Sequence, residues 1–237
     1  MLRKLRTHLR DRRLRRHPLA AECHPAIDAG FVFARAIVSE RHRFCYFRLP
    51  KCANSTVVNT LAWYDPDVTP GPGDATAREA KRSYGRLATA RAKTLDELQE
   101  RYFLFTFVRN PYTRLLSAYL DKGLTKAPQR SFADFITYLE HGGLYENAHW
   151  APQVAMLPVR VERLAFIGRV EQLEQDLETV IDRIFGEGTF SAARSREVNR
   201  KGAAERLGQY YTDDLAARVY TLYREDFETF GYPSKLE

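Results

Sequence analysis

Tyr102-Phe103-Leu104-Phe105-Thr106-Phe107-Val108 is the most apolar stretch of the chain. Its length suits a strand rather than a helix, and the near-absence of polar alternation marks a strand covered on both faces. Arg109-Asn110-Pro111 follows at once. Asn110 is suited to cap a helix and Pro111 to open it, so the strand turns directly into a helix that runs to about Lys122.

The same unit occurs twice more. Arg43 to Leu49 (RFCYFRL) is rich in aromatics and bounded by charge and by Pro50, which predicts a strand. Beyond it, Val57, Val58, Leu61 and Ala62 carry helical spacing over Thr56 to Tyr64. Leu164 to Gly168 (LAFIG) predicts a third buried strand, ahead of a helix over Glu171 to Phe185. Strands alternating with helices predict an α/β fold, a central, mostly parallel sheet flanked by helices.

The remaining segments fill in around this frame. Asp65 to Thr76 (DPDVTPGPGDAT) is dense in Pro, Gly and Asp and predicts a loop. Residues 77–93 predict a basic helix, and Thr94 with Glu97 a capping box for a short helix ending near Arg101. Ser131 starts another helix that Gly142 and Gly143 end, Asn199 to Gly202 is loop-like, and Tyr211 to Phe230 predicts one amphipathic helix.

Composition narrows the class. The 237 residues are 44% hydrophobic and 28% charged, ordinary for a globular chain, and this length buries roughly two-thirds of its extended surface without a disulfide or metal staple. No apolar run approaches a bilayer span. Residues 1–17 hold eight basic side chains and one acid, Asp11, so they account for the whole formal charge of +7. The chain therefore divides into a basic N-terminal arm, 1–30, and a single neutral domain, 31–237. Any anion site in that domain must be built from a few placed donors rather than a basic surface. Leu2, Leu5, Leu9 and Leu14 give the arm loose helical spacing, which fits either a helix lying on an anionic membrane through residues 1–17 or a solvated tail. Cys23, Cys45 and Cys52 form no C-x-x-C pair, which fits a reducing compartment.

Two strand-to-helix junctions carry unusual chemistry. In open α/β sheets ligands bind at the carboxyl ends of the strands. Pro50-Lys51-Cys52-Ala53-Asn54-Ser55-Thr56 enters a helix there, and a helix start offers unpaired N–H groups and a dipole that favours an anion. Ser55 and Thr56 add hydroxyls and Lys51 a cation. The stretch is no Walker A loop, because it has no glycine and its lysine comes early. At the second junction Arg109 emerges at the sheet edge with Ser117 about two turns into the helix, and a guanidinium is suited to grip a phosphate bidentately. Arg114 falls elsewhere on that helix and reads as a surface residue. Two anion sites at neighbouring strand ends imply a ligand with two separated anionic groups, such as a 3′,5′-bisphosphorylated nucleoside.

Together, Pro50-Lys51-Cys52-Ala53-Asn54-Ser55-Thr56 and Val108-Arg109-Asn110-Pro111-Tyr112-x-Arg114-Leu115-x-Ser117-Ala118-Tyr119 resemble a carbohydrate sulfotransferase of the chondroitin and HNK-1 group, in a bacterial-type form. His149-Trp150-x-Pro152-Gln153 and Ile167-Gly168-Arg169-Val170-Glu171-x-Leu173-x-x-Asp176 extend the likeness, as does the ending from Tyr211 to Tyr232; it spans roughly residues 40–233. The resemblance implies a P-loop-like three-layer sandwich and transfer of a sulfuryl group from 3′-phosphoadenosine 5′-phosphosulfate to a hydroxyl of a carbohydrate or glycolipid acceptor, in polysaccharide biosynthesis. It implies that residues 52–56 hold the 5′-phosphosulfate and that Arg109 and Ser117 hold the 3′-phosphate, completed by Arg200, Lys201 and Gly202.

The residue types suit that chemistry. Sulfuryl transfer depends on positioning and electrostatics. Lys51 is suited to meet charge developing on the leaving oxygen, and His149 ahead of His141 to take the acceptor's proton. Asp65, Asp67 and Asp74 are the acidic alternatives for that proton. No metal is expected. Glu171 and Asp176 read as structural. A cytoplasmic location, peripheral at the inner membrane face, is expected, with a homodimer left open and no specific nucleic-acid partner. Two other readings remain at this point: a P-loop-like nucleotide kinase or ATPase, which the missing Walker glycines oppose, and a nucleic-acid binder using the basic arm, which the neutral body opposes.

Overall fold

The computed structural model describes residues 9, 11–68, 77–123, 131–191, 202 and 204–236. Five strands form one sheet: β1 (Ala36–Ser39), β2 (Phe44–Phe47), β3 (Gly85–Arg86), β4 (Phe103–Val108) and β5 (Phe166–Arg169), in the order β3-β1-β2-β4-β5. The helices are α1 (Ala29–Phe33), α2 (Asn54–Tyr64), α3 (Ala77–Ser83), α4 (Leu95–Arg101), α5 (Pro111–Ala118), α6 (Phe132–Glu140), α7 (Leu173–Phe185), α8 (Leu207–Tyr210), α9 (Asp213–Leu222) and α10 (Arg224–Phe230).

The sheet is mixed rather than mostly parallel. β2, β4 and β5 run parallel, with Phe47 opposite Thr106 and Val108 opposite Arg169. β1 is antiparallel to both β2 and β3. The antiparallel half comes from two strands absent from the sequence reading. Ala36–Ser39 is only four residues long and reaches β2 through a short connection, and Gly85–Arg86 interrupts the helix expected over 77–93. The parallel half holds the three strand-to-helix junctions, so β2, β4 and β5 end at the same edge of the sheet.

Period-two alternation assigns the two faces. Ile37, Phe44, Tyr46, Phe105 and Phe107 pack under α2, α3 and α7 with Val57, Leu61, Ala80, Leu177 and Ile181. Ala36, Val38, Cys45, Phe47, Leu104 and Val108 point the other way, onto Leu19, Ile27, Phe33, Leu98 and Met156. Each fully buried aromatic of β4 contributes about 2–3 kcal/mol. Gly168 lies where β5 passes Phe107: a Cβ there would sit 2.5 Å from that ring, so the close strand approach requires glycine. A third cluster joins α5, α6, α9 and α10 around Tyr112, Leu116, Phe135, Trp150 and Phe227.

Packing begins earlier in the chain than the composition boundary near residue 31. Leu19, Ala20 and Ile27 are buried, and Asp11 accepts from the Ala29 backbone N–H at 2.6 Å while pairing with Arg15 at 2.9 Å. A few apolar residues and one ion pair therefore dock residues 11–30 onto the body despite the charge around them. The C-terminal helix expected over Tyr211 to Phe230 is instead α9 and α10, broken at Tyr223, whose ring is buried and whose hydroxyl donates to Trp150 O at 2.6 Å. Among the described residues no helix is long and apolar enough to cross a membrane.

Candidate active site

A cavity of about 950 Å³ opens where β2, β4 and β5 end. Lys51, Ala53, Asn54, Ser55 and Thr56 line it from the first junction, Arg109, Thr113 and Ser117 from the second, and Val170 to Leu173 from the third. His149 and Gly202 complete the predicted residues that meet there. Cys52 belongs to the same turn, but its side chain is buried beneath the cavity. Arg200 and Lys201 lie outside the described residues.

The first turn achieves its curvature without glycine. Lys51 (φ 69°) and Ala53 (φ 50°) both occupy the left-handed region. Non-glycine residues pay of order 1–3 kcal/mol each for such conformations, which persist only where surrounding contacts fix them. Ala53 stands at the N-cap of α2 and supplies no side-chain cap, so Ser55 and Thr56 fall inside the first turn of the helix rather than capping it. The first N–H groups of α2 are left facing the cavity region without a side-chain acceptor at the cap, which suits an incoming oxyanion.

Three side chains hold this turn. Arg109 donates from Nη1 to Lys51 O at 3.4 Å and from Nε to Thr113 Oγ1 at 3.0 Å. Arg114 is the second, and it is not a surface residue: it is 1% exposed, donating to Pro50 O at 3.1 Å, Ala151 O at 2.8 Å and Ala148 O at 3.4 Å. One buried guanidinium thus ties the turn before Lys51 to the residues on either side of His149. Gln153 is the third. Its Oε1 accepts from Arg109 N at 2.9 Å and from Cys52 Sγ at 3.2 Å, while Nε2 donates to Arg109 O at 2.9 Å. The amide therefore pairs with Arg109 as a neighbouring strand would, and fixes the first turn in the same stroke. Asp226, wholly buried, accepts from Gln153 N at 2.8 Å and Val154 N at 2.9 Å. Burial pushes the Asp226 carboxyl up, and Arg114 with those N–H donors pulls it back.

Lys51 Nζ meets Asp121 Oδ2 at 3.0 Å, with both side chains largely covered. Asp121 stands on a wider π-helical turn, Tyr119–Gly123, that continues α5, a distortion frequent at functional sites. Asn147 Oδ1 accepts from the His149 backbone N–H at 3.0 Å and lies 2.8 Å from His149 Nδ1. An oxygen that already accepts one N–H at that position fixes the proton on Nδ1 and leaves Nε2 as the basic nitrogen. Burial, reinforced by Arg35, Lys122 and Lys51, brings His149 down to about 4, so the imidazole is neutral at physiological pH.

Among the described histidines only His149 lines the cavity. His141 is exposed and bonds to Thr137 O at 2.7 Å. Asp65 and Asp67 are not at the cavity: Asp67 pairs with Arg41, and Asp65 lies 3.3 Å from His42 Nε2. Asp74 lies outside the described residues. His42, Asp65 and Asp67 form a group whose ligand atoms fall within 4.8 Å of one another, away from this site. Glu171 and Asp176, expected from the sequence to be structural, both hold neighbouring groups, with Glu171 also lining the cavity: Glu171 accepts from Asn110 N at 2.8 Å and Tyr232 OH at 3.0 Å, and Asp176 from Arg169 N at 2.5 Å. Asp121 and Gln153 received no role from sequence, because each acts through a contact with a residue far away in the chain, whereas Asn147 lies two residues from His149 and offers a local Asx signal that sequence could have supplied.

Fold and cavity define an α/β protein that gathers cations, hydroxyls and a neutral histidine at adjacent strand tips. The Sulfotransferase family model matches residues 34–233, and the chain belongs to that family. It is 27% identical over 229 residues to carbohydrate sulfotransferase 14 of Mus musculus, covering 83% of this chain and 60% of that protein. It is 26% identical over 252 residues to carbohydrate sulfotransferase 10 of Xenopus laevis, covering 88% of this chain and 70% of that protein. It thus spans about three-fifths to seven-tenths of these relatives. No solved structure matches it significantly.

Proposed function

We propose that the protein transfers a sulfuryl group from 3′-phosphoadenosine 5′-phosphosulfate to a hydroxyl of a carbohydrate or glycolipid acceptor. The observation that carries this reading is the convergence of Lys51, Ser55, Thr56, Arg109, Ser117 and His149 on one cavity. The turn from Pro50 to Ala53 acts as a P-loop-like cradle for the 5′-phosphosulfate, with Ser55 and Thr56 as hydroxyl donors. Arg109 and Ser117 hold the 3′-phosphate, and residues 200–202 complete that end.

The reaction is a single displacement. The acceptor oxygen bonds to sulfur as the bond from sulfur to the phosphate oxygen breaks, the acceptor proton passes to His149 Nε2, and adenosine 3′,5′-bisphosphate leaves. Lys51 moves from Asp121 to the leaving oxygen, where charge develops. Three unpaired buried cysteines fit a reducing cytoplasm, with the basic arm against anionic lipid.

The test is incubation with ³⁵S-labelled donor and glycan fractions, with Lys51→Ala as control. Label should enter a glycan with the wild type only. Failure of the wild type to bind adenosine 3′,5′-bisphosphate sinks the assignment.

A further inference from the structure

Glu171 stands beside Arg109 and does not pair with it. Both line the cavity, and Glu171 Oε1 accepts from the N–H of Asn110, the next residue after Arg109, at 2.8 Å. The guanidinium engages Thr113 through Nε and Lys51 O through Nη1, and its Nη2 meets no partner among the described residues. A carboxylate next to such an open fork ordinarily closes a bidentate pair. Among the described residues, neither Arg109 nor Glu171 forms an ion pair.

An ion pair here would work against donor binding. A carboxylate on the fork competes with a phosphate for the same N–H groups and cancels the charge that attracts it. The Glu171 charge does reach Arg109: burial lowers the guanidinium, and Cys52 and then Glu171 pull it the other way.

What keeps the two apart comes from the end of the chain. Tyr232 OH donates to Glu171 Oε2 at 3.0 Å, so with Asn110 N on Oε1 both carboxylate oxygens are engaged. Burial and then Glu171 push the Tyr232 phenol up, so it keeps the proton that this bond requires. The tyrosine is itself fixed. Gly231 (φ 63°) ends α10 in the left-handed region and turns the chain back. Tyr232 N then donates to Phe227 O at 2.9 Å, and the Arg169 guanidinium lies over the ring, 4.7 Å from its centroid. Arg169 also donates to Phe230 O, which ties the third strand tip to the end of α10.

We propose that Tyr232 is a positioning residue for the donor site: its hydroxyl holds the Glu171 carboxylate against Asn110 and off Arg109, so that the guanidinium stays open to the 3′-phosphate. The inference rests on the sulfuryl-transfer reading, whose donor site it completes from the C-terminal segment.

The experiment titrates adenosine 3′,5′-bisphosphate into the full chain and three variants by calorimetry. Tyr232→Phe keeps the ring under Arg169 and removes only the hydroxyl, which frees Glu171 Oε2 to turn onto Arg109. Affinity should fall about five-fold, the upper range for one partly exposed ion pair. Glu171→Gln leaves an amide that cannot neutralise the guanidinium, so it should bind the bisphosphate at least as tightly as the wild type. In the double variant the second change should restore what the first removed, to within two-fold of Glu171→Gln alone. A hydroxyl that served only to hold the fold would give a double variant as weak as Tyr232→Phe or weaker. That result overturns the proposal. So do wild-type affinity in Tyr232→Phe, weakened binding in Glu171→Gln, or a Tyr232→Phe chain that no longer folds. Wild-type chain that binds no bisphosphate fails the parent reading instead, before any variant is compared.

Discussion

Arg109 Nη1 donates to the carbonyl oxygen of Lys51 at 3.4 Å, so a residue from the tip of β4 touches the residue that begins the turn after β2. The contact leaves the guanidinium serving two elements at once, since Nε is engaged by Thr113. Arg109→Lys keeps the charge but loses the planar fork. It should weaken adenosine 3′,5′-bisphosphate binding about ten-fold, and Arg109→Ala about 100-fold, or ~3 kcal/mol. Calorimetric titration reads both. Wild-type affinity in Arg109→Ala removes the residue from the donor site.

Gln153 carries a different kind of load, because it touches backbone rather than ligand. Gln153→Glu preserves shape but cannot donate from Nε2 to Arg109 O, and it sets a second carboxyl about where Nε2 lies 3.3 Å from Asp226. The expected loss is about 2–3 kcal/mol of unfolding free energy in urea. Two buried carboxyls side by side hold their protons to higher pH than they would unfolded. The variant's stability deficit should therefore shrink as pH falls toward 4 and widen as pH rises. A deficit that is flat across that range contradicts the clamp.

The two parallel junctions were legible because their signals are local: an apolar run, a turn and a capped helix lie within a dozen residues of one another. Asn110 caps α5 through Tyr112 N and Pro111 opens it as its sequence predicts. Arg114 was not legible, because an arginine amid helical residues reads as solvated until the fold brings three carbonyls around it. Gln153 and Asp226 are separated by 73 residues, and no spacing rule links them. β1 escaped because Ala36–Ser39 is too short to show a period, and β3 because two residues earn strand status only by pairing with Ile37 and Val38. The cavity's position followed from the sheet-edge rule, whereas the orientation of His149 waited on Asn147.

The three cysteines are inert thiols by this structure. All are buried and unpaired. Burial pushes Cys23 up to about 11 and Cys52 to about 12, and Cys45 upward as well. The thiolate is the reactive form, so Ellman's reagent at pH 8 should label fewer than one thiol per native chain and three after unfolding. Rapid stoichiometric labelling of Cys52 in the folded chain contradicts its placement under Gln153.

His149 links stability, pH and rate. Its folded value, about 4, lies below the unfolded 6.5. Between those values the unfolded chain takes up a proton that the folded imidazole refuses, so its contribution is fully present above 6.5 and is lost as pH falls through the window. His149→Gln should flatten that slope in urea titrations across pH 4–6.5. In turnover the same variant should lose 10²–10⁴-fold in kcat, the usual scale of general-base removal, with bisphosphate affinity unchanged. A polyanionic donor beside the imidazole opposes the pull of Arg35 and Lys51 and raises its pKa. Because kcat/KM reports the free enzyme and kcat the loaded one, the acid limb of kcat should fall at higher pH than that of kcat/KM. Coincident limbs, or a His149→Gln variant with the wild-type profile, would assign the proton to another group.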